Sequence, residues 1–243
     1  MKIAILTSIS LKAANQLADH LRENNIEADV FQPTKKPENI PANWKGYDYI
    51  FKYGSSYPIP NGTFGKGRDK VINNTEAVRN CVDKWETFRV FRENNIPTVR
   101  HWNDPTKVPL DVETIVIRDD RKGNGAKGFA IHEREGKPLP KGELYTEYFY
   151  YNYEYRVYVF KGKAFVYYKH WDEGYHNFRL TKNPRAKKMA EHAIKAAAAL
   201  NIDFVSFDVV ARNLDDYAFL EANSGSILAD EVSEHIVTWF LNQ

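Results

Sequence analysis

The chain has 243 residues, enough for a substantial core arranged as one domain or as two or three small ones. With 34 Lys and Arg against 32 Asp and Glu, the charge is nearly balanced and by itself points to no polyanionic partner. The single cysteine, Cys81, excludes an internal disulfide and a multi-cysteine zinc site, and it fits a reducing compartment.

The opening MKIAILTSIS is too poor in apolar residues for a secretory signal, and no run approaches membrane-spanning length. A cytoplasmic protein with no membrane partner is expected. Residues 2 to 7, KIAILT, read as a buried parallel strand. A helix follows with Leu11, Ala14, Leu17, Ala18 and Leu21 on one face. Residues 27 to 31 and 47 to 53 read as further strands, giving a small β-α-β unit that closes near residue 70. Between Tyr53 and Lys70 lies a Gly, Pro and Ser-rich loop containing GTFGKGRD. This nearly copies a phosphate-binding P-loop but has Arg68 and Asp69 where Lys and Ser or Thr are required, so it is rejected.

Asn74 is placed to cap one helix from about Thr75 to Asn94, with Val78, Val82, Trp85 and Phe88 inward and Pro97 beyond its end. From about residue 113 the segments ETIVIR, GFAIHE, ELYTEYF, YRVYVFKG and KAFVYYK all read as strands. A loop is expected over 170 to 183, then an alanine-rich helix from about Arg185 to Leu200. Two last strands, VSFDVVA and YAFLEAN, are separated by RNLDD.

Those two strands carry the strongest chemical signal. A two-residue turn at Leu214 and Asp215 sets Asp208 directly opposite Glu221, with Cβ atoms roughly 5 Å apart on one face. Carboxylates that close repel unless a cation or proton lies between them. Asn223, two residues from Glu221, adds a neutral oxygen on the same face. Two carboxylates and an amide suit Mg²⁺, which takes hard oxygen donors and leaves positions for water and phosphate. The other reading is a solvated polar face.

Residues 118 to 129, RDDRKGNGAKGF, hold a glycine loop (Gly123, Gly125, Gly128) between two strands. A dinucleotide fold would need a helix after it, so the loop reads either as a phosphate-covering flap or as an ordinary flexible hairpin. Kinase signatures are absent. Arg118, Arg121, Lys122 and Lys127 surround the loop, and Lys84 lies on the preceding helix.

In this order of parts the chain resembles the ATP-grasp superfamily of ATP-dependent carboxylate–amine ligases, over essentially its whole length. The D-alanine–D-alanine ligase and ribosomal-protein glutamate ligase branches are the most similar. The resemblance implies an α+β fold with an α/β N-terminal part: a pre-ATP-grasp unit (1–74), a linker helix with a glycine-loop subdomain (75–150) and a C-terminal subdomain with the metal hairpin (151–243). It implies ATP phosphate contacts from Lys84 in CVDKWETF and from Arg118, where relatives have lysine. In EYFYYNYE, Glu147 and the backbones of Tyr148 and Tyr150 would meet adenine, and Glu154 the ribose. Asp208, Glu221 and Asn223 match the metal-ligand pattern, for one or two Mg²⁺ with Mn²⁺ as a substitute. Arg156 would meet the transferred phosphate or acyl group, with Lys169 and Arg179 as further cationic contacts.

The implied reaction joins a carboxylate to an amine through an acyl phosphate and releases ADP. The acid and amine are unnamed and could be amino acid, peptide or small molecule. The flap and the 170–183 segment are expected to close over the intermediate. His170 and His176 are candidate acid–base groups but read more simply as surface residues. Two departures, Ser206 in place of an arginine and Ser224-Gly225-Ser226 in place of a Ser-Pro-Gly-like turn, argue against D-alanine. A homo-oligomer is left open. Two alternatives stand beside the ligase: a non-catalytic ATP-binding scaffold of the same fold, and a single-stranded nucleic-acid module using the tyrosine-rich strands with the basic 118–127 and 182–188 segments. Balanced charge weighs against the last.

Overall fold

The N-terminal apolar run forms β1 (Lys2–Thr7), buried from Ile3 onward because strands flank it on both sides and helices cover it. Its parallel neighbours are β2 (Glu27–Phe31) and β3 (Tyr49–Tyr53), and β4 (Val71–Ile72) extends the sheet beyond β3. α1 (Leu11–Glu23) buries Ala13, Ala14, Leu17, Ala18 and Leu21 against it, whereas Leu11, expected inward, is 44% exposed at the helix start. The structure is a computed structural model that describes residues 1–8, 11–41, 44–59, 70–122, 128–172 and 175–243, without the side chains of 171, 172, 175 and 176.

The single helix expected over 75–94 is two. α2 (Thr75–Val82) begins at Asn74, whose side chain accepts from the Ala77 N–H at 2.8 Å. Asp83 then takes an extended conformation, and its carboxylate accepts from the N–H groups of Trp85 and Glu86, starting α3 (Lys84–Glu93). Aspartate is a strong N-cap, and here it overrides the continuous helical periodicity. The break makes Lys84 the first residue of a new helix and frees its N–H to donate to the Arg121 carbonyl at 2.9 Å.

A second sheet comprises β5 (His101–Trp102), β6 (Thr114–Arg118), β7 (Phe129–Glu133) and β8 (Leu144–Glu147), in the order β5-β8-β6-β7. Val108, Val112, Ile115, Ile117 and Tyr145 form its core on one face. The third and largest sheet contains β9 (Tyr153–Phe160), β10 (Lys163–Asp172), β11 (Tyr175–Leu180), β12 (Phe204–Asn213) and β13 (Asp216–Asn223), ordered β11-β10-β9-β12-β13. The segment expected as a loop over 170–183 is therefore mostly strand: β10 continues and β11 pairs antiparallel with it. Phe178 and Leu180 pack against the core on alternate positions, a period-2 signal too short to stand out.

One face of this sheet, with Tyr155, Val157, Val159 and Phe207, packs on α3 and on α4 (Lys187–Ala199). Burial of phenylalanines such as Phe207 and Phe219 contributes about 1.5–3 kcal/mol each. The other face packs partly on α5 (Asp230–Leu241), whose Val232, Ile236 and Phe240 share a core with α1 and β3. The chain's last helix thus completes the core of its first sheet.

Asn73 ties the first sheet to the third. It is buried in the left-handed region (φ 63°), which asparagine tolerates. Its amide accepts from the N–H groups of Asp203 and Phe204 and donates to the carbonyls of Lys52 and Phe204, all at 2.8–3.1 Å.

Candidate active site

Asp208 lies opposite Glu221, as expected, but not through a plain two-residue hairpin. Register shifts between Asp208 and Val209 and between Ala211 and Asn213 offset the intervening pairs by one residue and cancel each other. The same register sets Ser206 opposite Asn223, and β9 sets Arg156 beside Asp208. Strand parity therefore gathers Arg156, Ser206, Asp208, Glu221 and Asn223 on the face away from α4.

Each carboxylate has a cationic partner. The Arg156 Nε donates to Asp208 Oδ1 at 2.8 Å, and the Lys84 Nζ lies 3.0 Å from Glu221 Oε1. Although burial opposes its charge, Asp208 holds the Arg156 guanidinium above its ordinary value. The Asn223 amide lies 3.4 Å from Asp208 Oδ2. Lys84 is 4% exposed, an unusual burial for a lysine, and it is the helix break at Asp83 that aims it here.

Arg118 closes the group from the second sheet. Burial pulls its pKa down, against the favourable field of Glu221. Its buried Nε has no hydrogen-bond partner among the described residues, and its guanidinium sits 5.4 Å from the Phe129 ring. A buried guanidinium N–H left unsatisfied is suited to an anion. Sequence reasoning passed over Phe129 and Ile131, which are 40% and 52% exposed on the same side of β7 as Arg118's neighbours in the sheet. The alternation in GFAIHE could have shown them.

The donor set fits a divalent cation: two opposed carboxylates and an amide on one face, with water and phosphate left to complete the sphere. Among the described residues there is no cluster of three or more His, Cys, Asp or Glu, so the set is this mixed one.

Glu154 sits near the start of β9, bonded to the Lys169 ammonium and accepting from the Tyr151 hydroxyl at 3.2 Å. Glu147 is held by Arg100, whose Nε and NH2 donate to its two oxygens at 2.8 and 3.1 Å. It pairs with Ile115, whereas Arg118 pairs with Leu144, so the two side chains occupy opposite faces of that sheet. In the following turn the Tyr148 N–H donates to the Thr114 carbonyl, and the Tyr150 carbonyl accepts from Arg212 Nε.

Arg179 requires correction. It pairs with Tyr168 across β10 and β11, which puts it on the Tyr155 face, opposite Arg156 and Asp208. It lies outside the group of charges described above, because a change of parity on a strand changes the face. His170 lies within β10 rather than in a loop. Gly123, Gly125, Lys127 and the GTFGKGRD stretch lie outside the described residues, as does the His176 side chain. Gly128 precedes β7 with φ +71°, and its carbonyl accepts from the Asp119 N–H.

The two departures noted in the sequence meet in space. Ser206 is fully buried and hydrogen-bonds the Ser226 hydroxyl. The 224–227 turn is also fixed by Gly54 N–H to the Ser224 carbonyl, Tyr53 hydroxyl to the Ser226 carbonyl and Tyr158 hydroxyl to the Ile227 carbonyl.

No protein-family model and no curated protein matches the chain by sequence. Solved structures match it along its whole length. The ATP-grasp ligase PsnB complexed with a minimal precursor, Mg and ADP superposes with a TM-score of 0.71 at 15% identity, covering 99% of this chain and 96% of that one. The macrocyclase MdnC from Microcystis aeruginosa, bound with precursor peptide MdnA, gives 0.68 at 12% identity over 100% of both chains. D-alanine–D-alanine ligase from Bacillus anthracis gives 0.65 at 13% identity, over 99% and 93%. The chain has the ATP-grasp fold. No helix among the described residues is long and apolar enough to cross a membrane.

Proposed function

We propose that this chain is an ATP- and Mg²⁺-dependent ligase that joins a carboxylate to an amine. The observation that carries the reading is the meeting of Asp208, Glu221 and Asn223 with Lys84, Arg118 and Arg156 in one place. Such a set has a use in phosphoryl transfer, where catalysis consists largely of positioning and charge neutralisation.

A substrate carboxylate oxygen attacks the γ-phosphorus of ATP, the bond to the bridging oxygen breaks, and ADP leaves. The amine nitrogen then attacks the acyl carbon, inorganic phosphate departs, and the nitrogen gives up a proton to water or buffer. Bound at Asp208, Glu221 and Asn223, Mg²⁺ would neutralise phosphate charge. Lys84 and Arg118 bind phosphate oxygens, and Arg156 meets the transferred phosphoryl group. Glu154, oriented by Lys169, takes the ribose hydroxyls. The base lies along the 148–150 backbone beneath Phe129 and Ile131; Glu147, expected to meet adenine, is instead bound by Arg100 on the opposite face of that sheet. The sites of the acid and amine are not assigned to residues, because variable loops build them. The superposed PsnB and MdnC complexes hold precursor peptides, which favours a peptide for one substrate.

The test is ATP calorimetry with and without Mg²⁺ on the native chain and on Glu221→Gln. Mg²⁺-dependent binding that the substitution abolishes is the expected result. Binding indifferent to Mg²⁺ and to the substitution, or no binding at all, would overturn the reading.

A further inference from the structure

The face of the third sheet that turns away from the proposed catalytic group carries a cavity of ≈1030 Å³. Its floor is aromatic: Tyr153, Tyr155 and Tyr168 form a cluster with ring centroids 5.7–6.1 Å apart. Its wall is cationic, with Arg179 on β11 and Lys182 and Arg185 on the connection to α4. Between residues 179 and 188 the sequence RLTKNPRAKK has five cations and no carboxylate, in a chain whose net charge is only +2. Among the described residues Asp215 is the one carboxylate lining the cavity. A backbone bond and a side-chain cap hold the basic connection in place: Thr181 N–H to the Val166 carbonyl at 2.9 Å, and Arg185 N–H to Asn183 Oδ1 at 3.0 Å.

We propose that this cleft binds single-stranded nucleic acid, with bases against Tyr153 and Tyr168 and phosphates against Arg179, Lys182 and Arg185. Cations alone would serve any polyanion. Aromatic faces interleaved with cations are the arrangement that holds unpaired bases, because every base has a π-face to stack. Tyr153 is 42% exposed, and its neighbours Tyr150 and Tyr151 are 59% and 40% exposed, so the aromatic surface continues past the cavity. A second, smaller cavity shares Tyr153 and Tyr168 with the first and reaches Glu154 and Lys169 on the opposite face. A strand lying in the cleft therefore has a route around the sheet's end toward the proposed ribose contact. The inference stands apart from the proposed ligation, since binding needs neither ATP nor Mg²⁺.

The experiment is fluorescence anisotropy with a labelled 12-nucleotide oligo-dT, across a salt series and without ATP. Three phosphate contacts on a single strand give a slope of about −2 in log K against log salt. Reversing charge at the exposed Lys182 and Arg185 (Lys182→Glu with Arg185→Glu) is expected to weaken binding at least tenfold. Tyr153→Ala, which removes a stacking face, should weaken it about tenfold while leaving the melting temperature near that of the native chain. An excess of polyglutamate should fail to displace the oligonucleotide. No measurable binding, or binding unchanged by the charge reversal, would overturn the proposal. Equal displacement by polyglutamate would do so too, and would reassign the cleft to acidic peptides.

Discussion

Replacing Glu221 by glutamine tests the electrostatic design of the site without any ligand. The Lys84 side chain is 5% exposed and its Nζ lies 3.0 Å from Glu221, which is 25% exposed. At an effective dielectric of about 20 a pair at that distance attracts by about 5 kcal/mol. Removing one partner of a fully buried pair costs about 3–5 kcal/mol, because the other charge is left uncompensated. Glu221 keeps a quarter of its surface in water, and neutralising it relieves its repulsion with Asp208 while removing its field at buried Arg118, so about 1–3 kcal/mol is expected. Urea unfolding of native chain, Glu221→Gln, Lys84→Met and the double variant closes a thermodynamic cycle. Glu221→Gln should lower stability by the stated amount, and by less than half of it in the Lys84→Met background. A Glu221→Gln chain within about 0.5 kcal/mol of native would refute the reasoning, as would an equal loss in both backgrounds.

Asn73→Ala deletes four side-chain hydrogen bonds to backbone groups of Lys52, Asp203 and Phe204, three of them buried, so a loss of about 3–5 kcal/mol in urea unfolding is expected. Gly225→Ala would bring its Cβ to 2.8 Å from the Gly54 Cα, a contact that only backbone movement relieves. A lower thermal midpoint and weaker ATP binding should follow, and an unchanged chain would show that the turn yields freely. Burial beside Arg79 pushes Lys52 down to about 8 from an ordinary value of 10.5. Between those values the unfolded chain holds more protons than the folded one, so stability should rise as pH passes from about 8 toward 10, by at most ~3 kcal/mol. Tyrosines with raised values, Tyr53 and Tyr158 among them, turn the trend downward at higher pH. Urea midpoints from pH 7 to 10 should show the rise in the native chain and a flatter line in Lys52→Met.

Much of this arrangement was legible because it rests on parity. Asp208, Glu221 and Asn223 occupy one face for the same reason that KIAILT is buried: strand period and apolar flanks are local properties. The opposition of Asp208 and Glu221 survived two register shifts only because those shifts cancel, which no local pattern could reveal. Arg179 shows the limit of loose alignment, since one residue of offset moves a side chain through the sheet. Asp83 was hidden differently. Its capping preference competed with a helical pattern that runs straight through it, and the tertiary bond from Lys84 N–H to Arg121 is consistent with a break there. β11 has alternating residues but half of its length is polar, so it became a strand only by having β10 as an edge to join. Asn73 left no signal at all, because its partners are 21 and about 130 residues away.

Ser206 and the Ser224-Gly225-Ser226 turn looked like two independent departures, and the structure makes them one feature. Position 206 is fully buried, and its hydroxyl is bonded to Ser226 rather than to solvent. An arginine there would need a counter-charge and space that the turn now occupies. The turn in its place is neutral and narrow: Gly225 lies against Gly54, and the hydroxyls of Tyr53 and Tyr158 cap the carbonyls of Ser226 and Ile227. Serine at 206 and glycine at 225 thus depend on each other, since the hydroxyl pair requires the turn to approach and the turn approaches only without a Cβ. Charge on this side of the site then rests with Arg156, whose guanidinium is already committed to Asp208.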